Sequence, residues 1–122
     1  MKKILIVEDD TFLQGLAASK LGKSGFEVIV ASTGEQASTM IDKSPDLDCV
    51  LLDILLPGQD GYTVLKKIRE NMKIGKIPVI VFSNLAEEKD IKRAKKLGAT
   101  DFMIKSNFTL DELVEKVTFL LK

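Results

Sequence analysis

Five short apolar runs, separated by longer amphipathic stretches, constrain this chain more than any other feature of its sequence. They are ILIV (4–7), FEVIVA (26–31), CVLL (49–52), VIVF (79–82) and FMI (102–104). Four of them are apolar without interruption, the pattern of strands covered on both faces of a parallel sheet. Glu27 breaks the second run, which predicts a strand at a sheet edge.

The stretches between the runs carry apolar residues at spacings of three and four. Residues 11–24 place Phe12, Leu13, Leu16, Ala17 and Leu21 on one predicted face. Residues 33–43 carry Ala37, Met40 and Ile41, and Ser32 with Glu35 three positions on predicts a capping-box start. Residues 61–71 carry Val64, Leu65 and Ile68, and residues 86–97 carry Ile91, Ala94 and Leu97 before a Gly98 stop. Thr109 and Glu112 predict a second capping box, opening a last helix with Leu113, Val114, Val117, Leu120 and Leu121. The order is therefore βαβαβαβαβα. Right-handed crossovers turn that order into a doubly wound α/β sandwich. Five strands in this length predict a flavodoxin-like (βα)5 parallel sheet in the order 2-1-3-4-5. No linker or repeat interrupts it, so residues 1–122 are expected to form a single domain.

Composition removes several classes of function. Lys+Arg and Asp+Glu both number 18, so no basic face recommends direct nucleic-acid binding. The chain has no histidine, which removes imidazole catalysis and most zinc or copper sites. Cys49 stands alone and cannot form an internal disulfide, which fits a reducing compartment. The first apolar run is too short for a secretory leader or a membrane span. A cytoplasmic chain with no membrane partner is expected.

Sheets of this kind bind ligands beyond the carboxyl ends of their strands. The residues after the runs are Glu8 and Asp9, then Asp53, then Ser83, then Lys105, while the second run ends uncharged in Ala31-Ser32-Thr33. Three crowded carboxylates repel one another unless protons or a cation neutralise them. Oxygen donors with positions left open select a hard ion, Mg²⁺ before Ca²⁺. Lys105 adds an ammonium and Ser83 a hydroxyl, a set that neutralises phosphoryl oxygens. A carboxylate can itself be the nucleophile and form an aspartyl phosphate. Asp53, ending the central run, is the candidate. Taken singly, each residue also has a plain reading: Asp53 a turn residue, Asp10 a charge at a helix start, Phe102 a core aromatic.

Together these residues carry a resemblance. The acidic pair Glu8-Asp9, the D-x-x-x-P-x-x-x-G pattern from Asp53 through Pro57 to Gly61, Ser83 after Val81-Phe82, and Lys105 closing Gly98–Lys105 occur in order. Along essentially its whole length the chain resembles the receiver domain of bacterial two-component response regulators. The resemblance implies that Asp53 accepts a phosphoryl group from a phosphohistidine. It implies that Asp9 and Asp53 ligate Mg²⁺ directly, Glu8 through water and Leu55 through its backbone carbonyl. Lys105 would pair with the phosphoryl group, Ser83 would be the switch hydroxyl, and Phe102 the switch aromatic. The output face would be the fourth helix, fifth strand and fifth helix. The implied partners are a sensor histidine kinase or phosphotransfer protein and a downstream effector or output domain, with the chain a monomer or a phosphorylation-dependent dimer. It would be no enzyme in the ordinary sense, catalysing only its own phosphorylation and slow dephosphorylation.

The sequence departs from the family pattern in places. Ser106 stands where Pro commonly follows the lysine, Asn84 where Ala or Gly follows the switch hydroxyl, and Phe102 lacks a tyrosine hydroxyl. Leu55 and Leu85 occupy positions that can orient hydrolytic water, and both are apolar. Thr100 replaces an acid, and Lys116 an Arg, in the charged dimer set common with DNA-binding outputs. The alternatives are a pseudo-receiver that binds partners without phosphorylation, a hydrolase using an aspartyl phosphate, and a flavin carrier. The hydrolase would need an acid where Leu55 stands, and Glu8-Asp9-Asp10 would repel a flavin phosphate.

Overall fold

The computed structural model describes residues 1–122. The elements are β1 (Lys3–Val7), α1 (Thr11–Lys23), β2 (Glu27–Ala31), α2 (Gly34–Lys43), β3 (Cys49–Leu52), α3 (Gly61–Glu70), β4 (Val79–Ser83), α4 (Glu88–Lys96), β5 (Asp101–Ile104), a 3₁₀ turn (Lys105–Asn107) and α5 (Leu110–Leu120). One sheet holds all five strands in the predicted order β2-β1-β3-β4-β5, and every pairing is parallel. The interrupted strand β2 lies at an edge, where Glu27 is exposed and Lys3 Nζ stands 3.9 Å from its carboxylate.

Side chains alternate across the sheet, as the strand period requires. Leu5, Val7, Val50, Leu52, Val79 and Val81 pack against Ala37 and Ile41 of α2, against α3, and against Ala94 of α4. Ile4, Ile6, Cys49, Leu51, Ile80, Phe82 and Met103 pack on the other face against Ala17 and Leu21 of α1 and Leu113 and Val117 of α5. Both faces of β1, β3 and β4 are thus covered, which is why their runs are unbroken. Helix α4 is the least anchored, with Ala94 its one buried residue and an exposed Lys92–Glu88 pair along its charged face.

Register sets the functional end of the sheet. Val7 lies opposite Ala31 and Leu52, Leu52 opposite Val81, and Ser83 opposite Ile104. The residues that follow β1, β3 and β5 therefore emerge beside Ser83.

Several local expectations are corrected. The strands take in Lys3, Ser83 and Asp101 beyond the apolar runs, because ladder pairing continues past the apolar side chains, while β2 begins at Glu27 instead of Phe26. Helix α2 is not capped by Ser32 with Glu35. Thr33 is the cap and accepts from the Gln36 amide at 3.1 Å, and Gln36 returns by accepting from the Ser32 amide at 2.8 Å. The cap falls on Thr33 because that residue holds the extended backbone a cap needs (φ −136°, ψ 164°), and the returning Gln36 bond reaches one residue before the cap, so no reciprocal box closes. On α1 the buried stripe is narrower than predicted. Leu13, Ala17 and Leu21, spaced by four, turn to the sheet, whereas Phe12 is 75% and Leu16 41% exposed. One residue of helix rotates a side chain by about 100°, enough to carry both out of the contact. The Thr109–Glu112 box forms as predicted. All peptide bonds are trans, Lys105–Ser106 included. No helix is long and apolar enough to cross a membrane.

Candidate functional site

Asp53 follows the last residue of β3 and is 4% exposed. Its backbone amide continues the sheet by donating to Val7 O at 3.0 Å. Its carboxylate accepts on both oxygens. Ser83 Oγ donates to Oδ1 at 2.8 Å, the Leu55 amide donates to Oδ1 at 3.0 Å, and Lys105 Nζ donates to Oδ2 at 2.7 Å. Glu8, also 4% exposed, lies on the other side of the same ammonium, 2.6 Å from Lys105 Nζ. Asp9 sits at the exposed rim, and one carboxylate oxygen from each of Glu8, Asp9 and Asp53 falls within 4.8 Å of the others.

The local backbone makes this arrangement. Asp10 caps α1 by accepting from the Phe12 and Leu13 amides, so the chain turns sharply after Glu8 and leaves Asp9 facing the cluster. The Asp10 amide in turn donates to Glu8 Oε2 at 3.1 Å and fixes that carboxylate. Beyond β3, the Gly61 and Leu56 amides both donate to Ile54 O, which closes the Asp53–Gly61 loop. Ser83 stays within β4, fully buried, and its hydroxyl also accepts weakly from the Leu85 amide at 3.4 Å.

Charge balance is the dominant electrostatic feature. Burial pushes the Glu8 carboxyl above its usual range, and the nearby Asp53 charge pushes the same way. The Lys105 hydrogen bond and the Asp10 amide oppose that rise without cancelling it. Burial pulls the Lys105 ammonium down, but its hydrogen bonds to Asp53 and Glu8 outweigh burial, so its affinity for the proton is raised. Lys105 is therefore a fixed cation. One such charge among three carboxylates leaves an anionic cup open at Asp9. No buried side-chain nitrogen or oxygen lacks a partner.

The structure thus brings Glu8, Asp9, Asp53, Ser83 and Lys105 to one place. Leu55 lies on the loop beside them with its side chain 51% exposed. Phe102 is half-buried against the α2–α3–α4 side of the core and not inside the acidic cup. Sequence reasoning does not single out Gln14. Its amide nitrogen donates to Glu8 O at 2.9 Å, Ala31 O at 3.2 Å and Ser32 Oγ at 3.1 Å, tying the ends of β1 and β2 to α1. A lone glutamine in an amphipathic helix gives no signal of that role. Asn84, which follows Ser83, is exposed and carries no side-chain hydrogen bond across the cup.

The sequence matches the family model "Response regulator receiver domain" over residues 4–118. The chain belongs to the response regulator receiver family. The transcriptional regulatory protein CpxR of Klebsiella pneumoniae is 38% identical over 122 residues, which is 100% of this chain and 50% of CpxR. This receiver chain therefore spans about half the length of that relative. Among solved structures, the BeF3-activated receiver domain of Klebsiella pneumoniae RstA superposes with a TM-score of 0.88 at 30% identity, covering 99% of each chain. The Mn(2+)-bound form of the response regulator Rcp1 superposes at 0.86 with 29% identity, covering 100% of this chain and 96% of its own.

Proposed function

We propose that this receiver takes a phosphoryl group onto Asp53 from a histidine kinase or phosphotransfer protein, in a Mg²⁺-dependent reaction, and passes the change to an effector. The observation that carries the reading is the Asp53 carboxylate itself. It is buried at a strand end with an ammonium at 2.7 Å, a hydroxyl at 2.8 Å and two further carboxylates beside it. A turn or capping aspartate has no need of that company.

The donor set fits a hard divalent ion. Three carboxylate oxygens converge within 4.8 Å, one of them at the exposed rim, and Lys105 neutralises only part of their charge. Asp9 and Asp53 would hold the ion directly, Glu8 through water, and Leu55 through its carbonyl. When bound, it supplies positive charge to the phosphoryl oxygens as the transfer proceeds. The Mn(2+)-bound Rcp1 supports a divalent ion in this family, and BeF3-activated RstA supports a phosphoryl-accepting site.

The residues divide the remaining work. A carboxylate oxygen of Asp53 forms the new O–P bond while the P–N bond of the phosphohistidine breaks and its electron pair returns to the imidazole. Lys105, already oriented by Glu8 and Asp53, follows the charge onto the phosphoryl group. Ser83 gives up Asp53 Oδ1 and donates to a phosphoryl oxygen instead. That movement reaches Leu85 through the Ser83–Leu85 contact, and Phe102 packs on the same part of the core. The weakly anchored α4 and the neighbouring β5 and α5 then form the face that effectors read. The chain turns over no external substrate, and its own dephosphorylation is slow.

The pseudo-receiver alternative has no observation in its favour, since each of the five cup residues stands in place. Incubation with a small-molecule phosphodonor and Mg²⁺ should add one phosphoryl group to the wild type, and none to Asp53→Ala, by intact-mass spectrometry. An equal gain in Asp53→Ala would defeat the assignment.

A further inference from the structure

The loop that carries Leu55 from β3 to α3 is held from outside the acidic cup, by the first turns of α2. The Gln59 amide donates to Glu35 Oε1 at 2.7 Å, and Ser38 Oγ donates to Gln59 Oε1 at 2.6 Å. Gln59 is thus gripped at both its main chain and its side chain. Two glycines make the approach possible. Gly58 has φ +72° beside the Glu35 carboxylate, where a Cβ would overlap Oε1. Gly34, the first residue of α2, lies so close to Gln59 that a Cβ would overlap its carbonyl oxygen. Glu35 takes part in no ion pair; its one side-chain partner is the loop.

The rest of the loop explains why this grip matters. Its β3 end is tied by the Leu55 amide to Asp53, and its α3 end by Asp60, which caps α3 through the Thr63 amide at 2.9 Å. Between them, Pro57 and Gly58 are exposed. Inside the span the Leu56 and Gly61 amides donate to Ile54 O, and the α2 grip adds the tie that reaches the loop from another element, at Gln59.

We propose that Glu35 is a positioning residue for the β3–α3 loop, and that by holding Gln59 it supports the Leu56–Ile54 turn that aims the Leu55 carbonyl at the Mg²⁺ site. The proposal rests on the metal-dependent reading above. It also makes α2 sensitive to metal loading, because a tie that aims the carbonyl also transmits its movement.

The test compares Glu35→Ala, which removes the acceptor, with Glu35→Gln, which keeps an amide oxygen for the Gln59 N–H. Two readouts are taken on each chain: hydrogen exchange of the Gln59 amide without metal, and the Mg²⁺ titration followed by the Leu55 and Gly61 amide NMR shifts. In Glu35→Ala the Gln59 amide should exchange roughly tenfold faster or more, because a local opening replaces a held bond. Its Mg²⁺ affinity should fall roughly threefold to tenfold, less than the loss on removing a direct partner of a metal ligand. Glu35→Gln should stay near the wild type in both. Wild-type Mg²⁺ affinity in Glu35→Ala would overturn the proposal, as would equal losses in the two variants. A wild type that shows no Mg²⁺ response at all would instead sink the metal reading on which it rests. The metal-free Gln59 exchange still reports the grip by itself, so the two failures are told apart.

Discussion

Lys105 Nζ lies 2.7 Å from Asp53 Oδ2, and the same ammonium lies 2.6 Å from Glu8. A single cation thus holds two buried carboxylates that would otherwise repel. Lys105→Met should destabilise the metal-free protein, toward the lower end of the ~3–5 kcal/mol seen when one partner of a buried ion pair is removed, because Glu8 can take up a proton. Saturating Mg²⁺ should recover more stability in the variant than it adds to the wild type, since the ion then replaces the missing charge. Urea unfolding of both chains, with and without Mg²⁺, checks this. An equal Mg²⁺ increment in the two would contradict it.

Leu55, 51% exposed, and Leu85, half-buried against the core, present no polar group to orient water at the phosphoryl group. Phosphorylated chain should therefore lose phosphate slowly. Leu55→Asn with Leu85→Glu should release it roughly tenfold faster, a modest gain beside the 10²–10⁴ of a well-placed acid or base. Inorganic phosphate release after donor removal measures both rates, and an unchanged rate counts against the idea.

Cys49 is fully buried in β3, and burial pushes its thiol up to about 12. The thiolate is the reactive form. At pH 8 the native chain should therefore resist iodoacetamide, while urea-unfolded chain is alkylated once. Rapid native labelling, read by intact mass, would show that the strand opens far more readily than its packing implies.

Arg69 joins the end of α3 to the stretch before β4 and to the turn before β5. Its guanidinium donates to Gly98 O at 2.8 Å, Gly75 O at 3.2 Å and Ile77 O at 2.6 Å. Burial lowers its proton affinity. Arg69→Met should cost about 3 kcal/mol, since several carbonyls lose a charged donor worth ~1.5–3 kcal/mol each and such losses are not additive. Arg69→Lys should recover little, because an ammonium has no planar fork to reach three acceptors. Chemical denaturation checks both, and a Lys variant equal to the wild type would overturn the fork argument.

Most of the architecture was legible because strand burial leaves a direct trace. Unbroken runs mark the strands covered on both sides, and Glu27 marks the edge. The candidate cluster was legible because charge at the end of an apolar strand is conspicuous: Asp53, Ser83, Lys105 and the Glu8-Asp9 pair all stand just after such runs. What the sequence hid was tertiary choice among similar local options. Ser32 and Thr33 are both good caps, and only backbone direction selects Thr33. Phe12 and Leu16 match the helical period as well as Leu13 does, and only the angle of α1 on the sheet exposes them. The ties made by Gln14, Glu35 and Arg69 run to backbone atoms of distant loops, so no side-chain pattern announces them. Tyr62 is hidden for another reason: its partners are side chains of α4, distant in sequence, with its buried ring 3.9 Å beneath the Arg93 guanidinium and its hydroxyl donating to Asp90 at 3.3 Å.

The central claim is that Asp53 accepts the phosphoryl group. An acyl phosphate is reduced by borohydride to the alcohol, so a phosphorylated aspartate becomes homoserine, whereas a free carboxylate does not react. Chain treated with phosphodonor and Mg²⁺, reduced with borohydride, digested and sequenced by tandem mass spectrometry should carry homoserine at position 53 and nowhere else. Homoserine at position 9, the glutamate-derived alcohol at position 8, or no reduced residue at all would contradict the account.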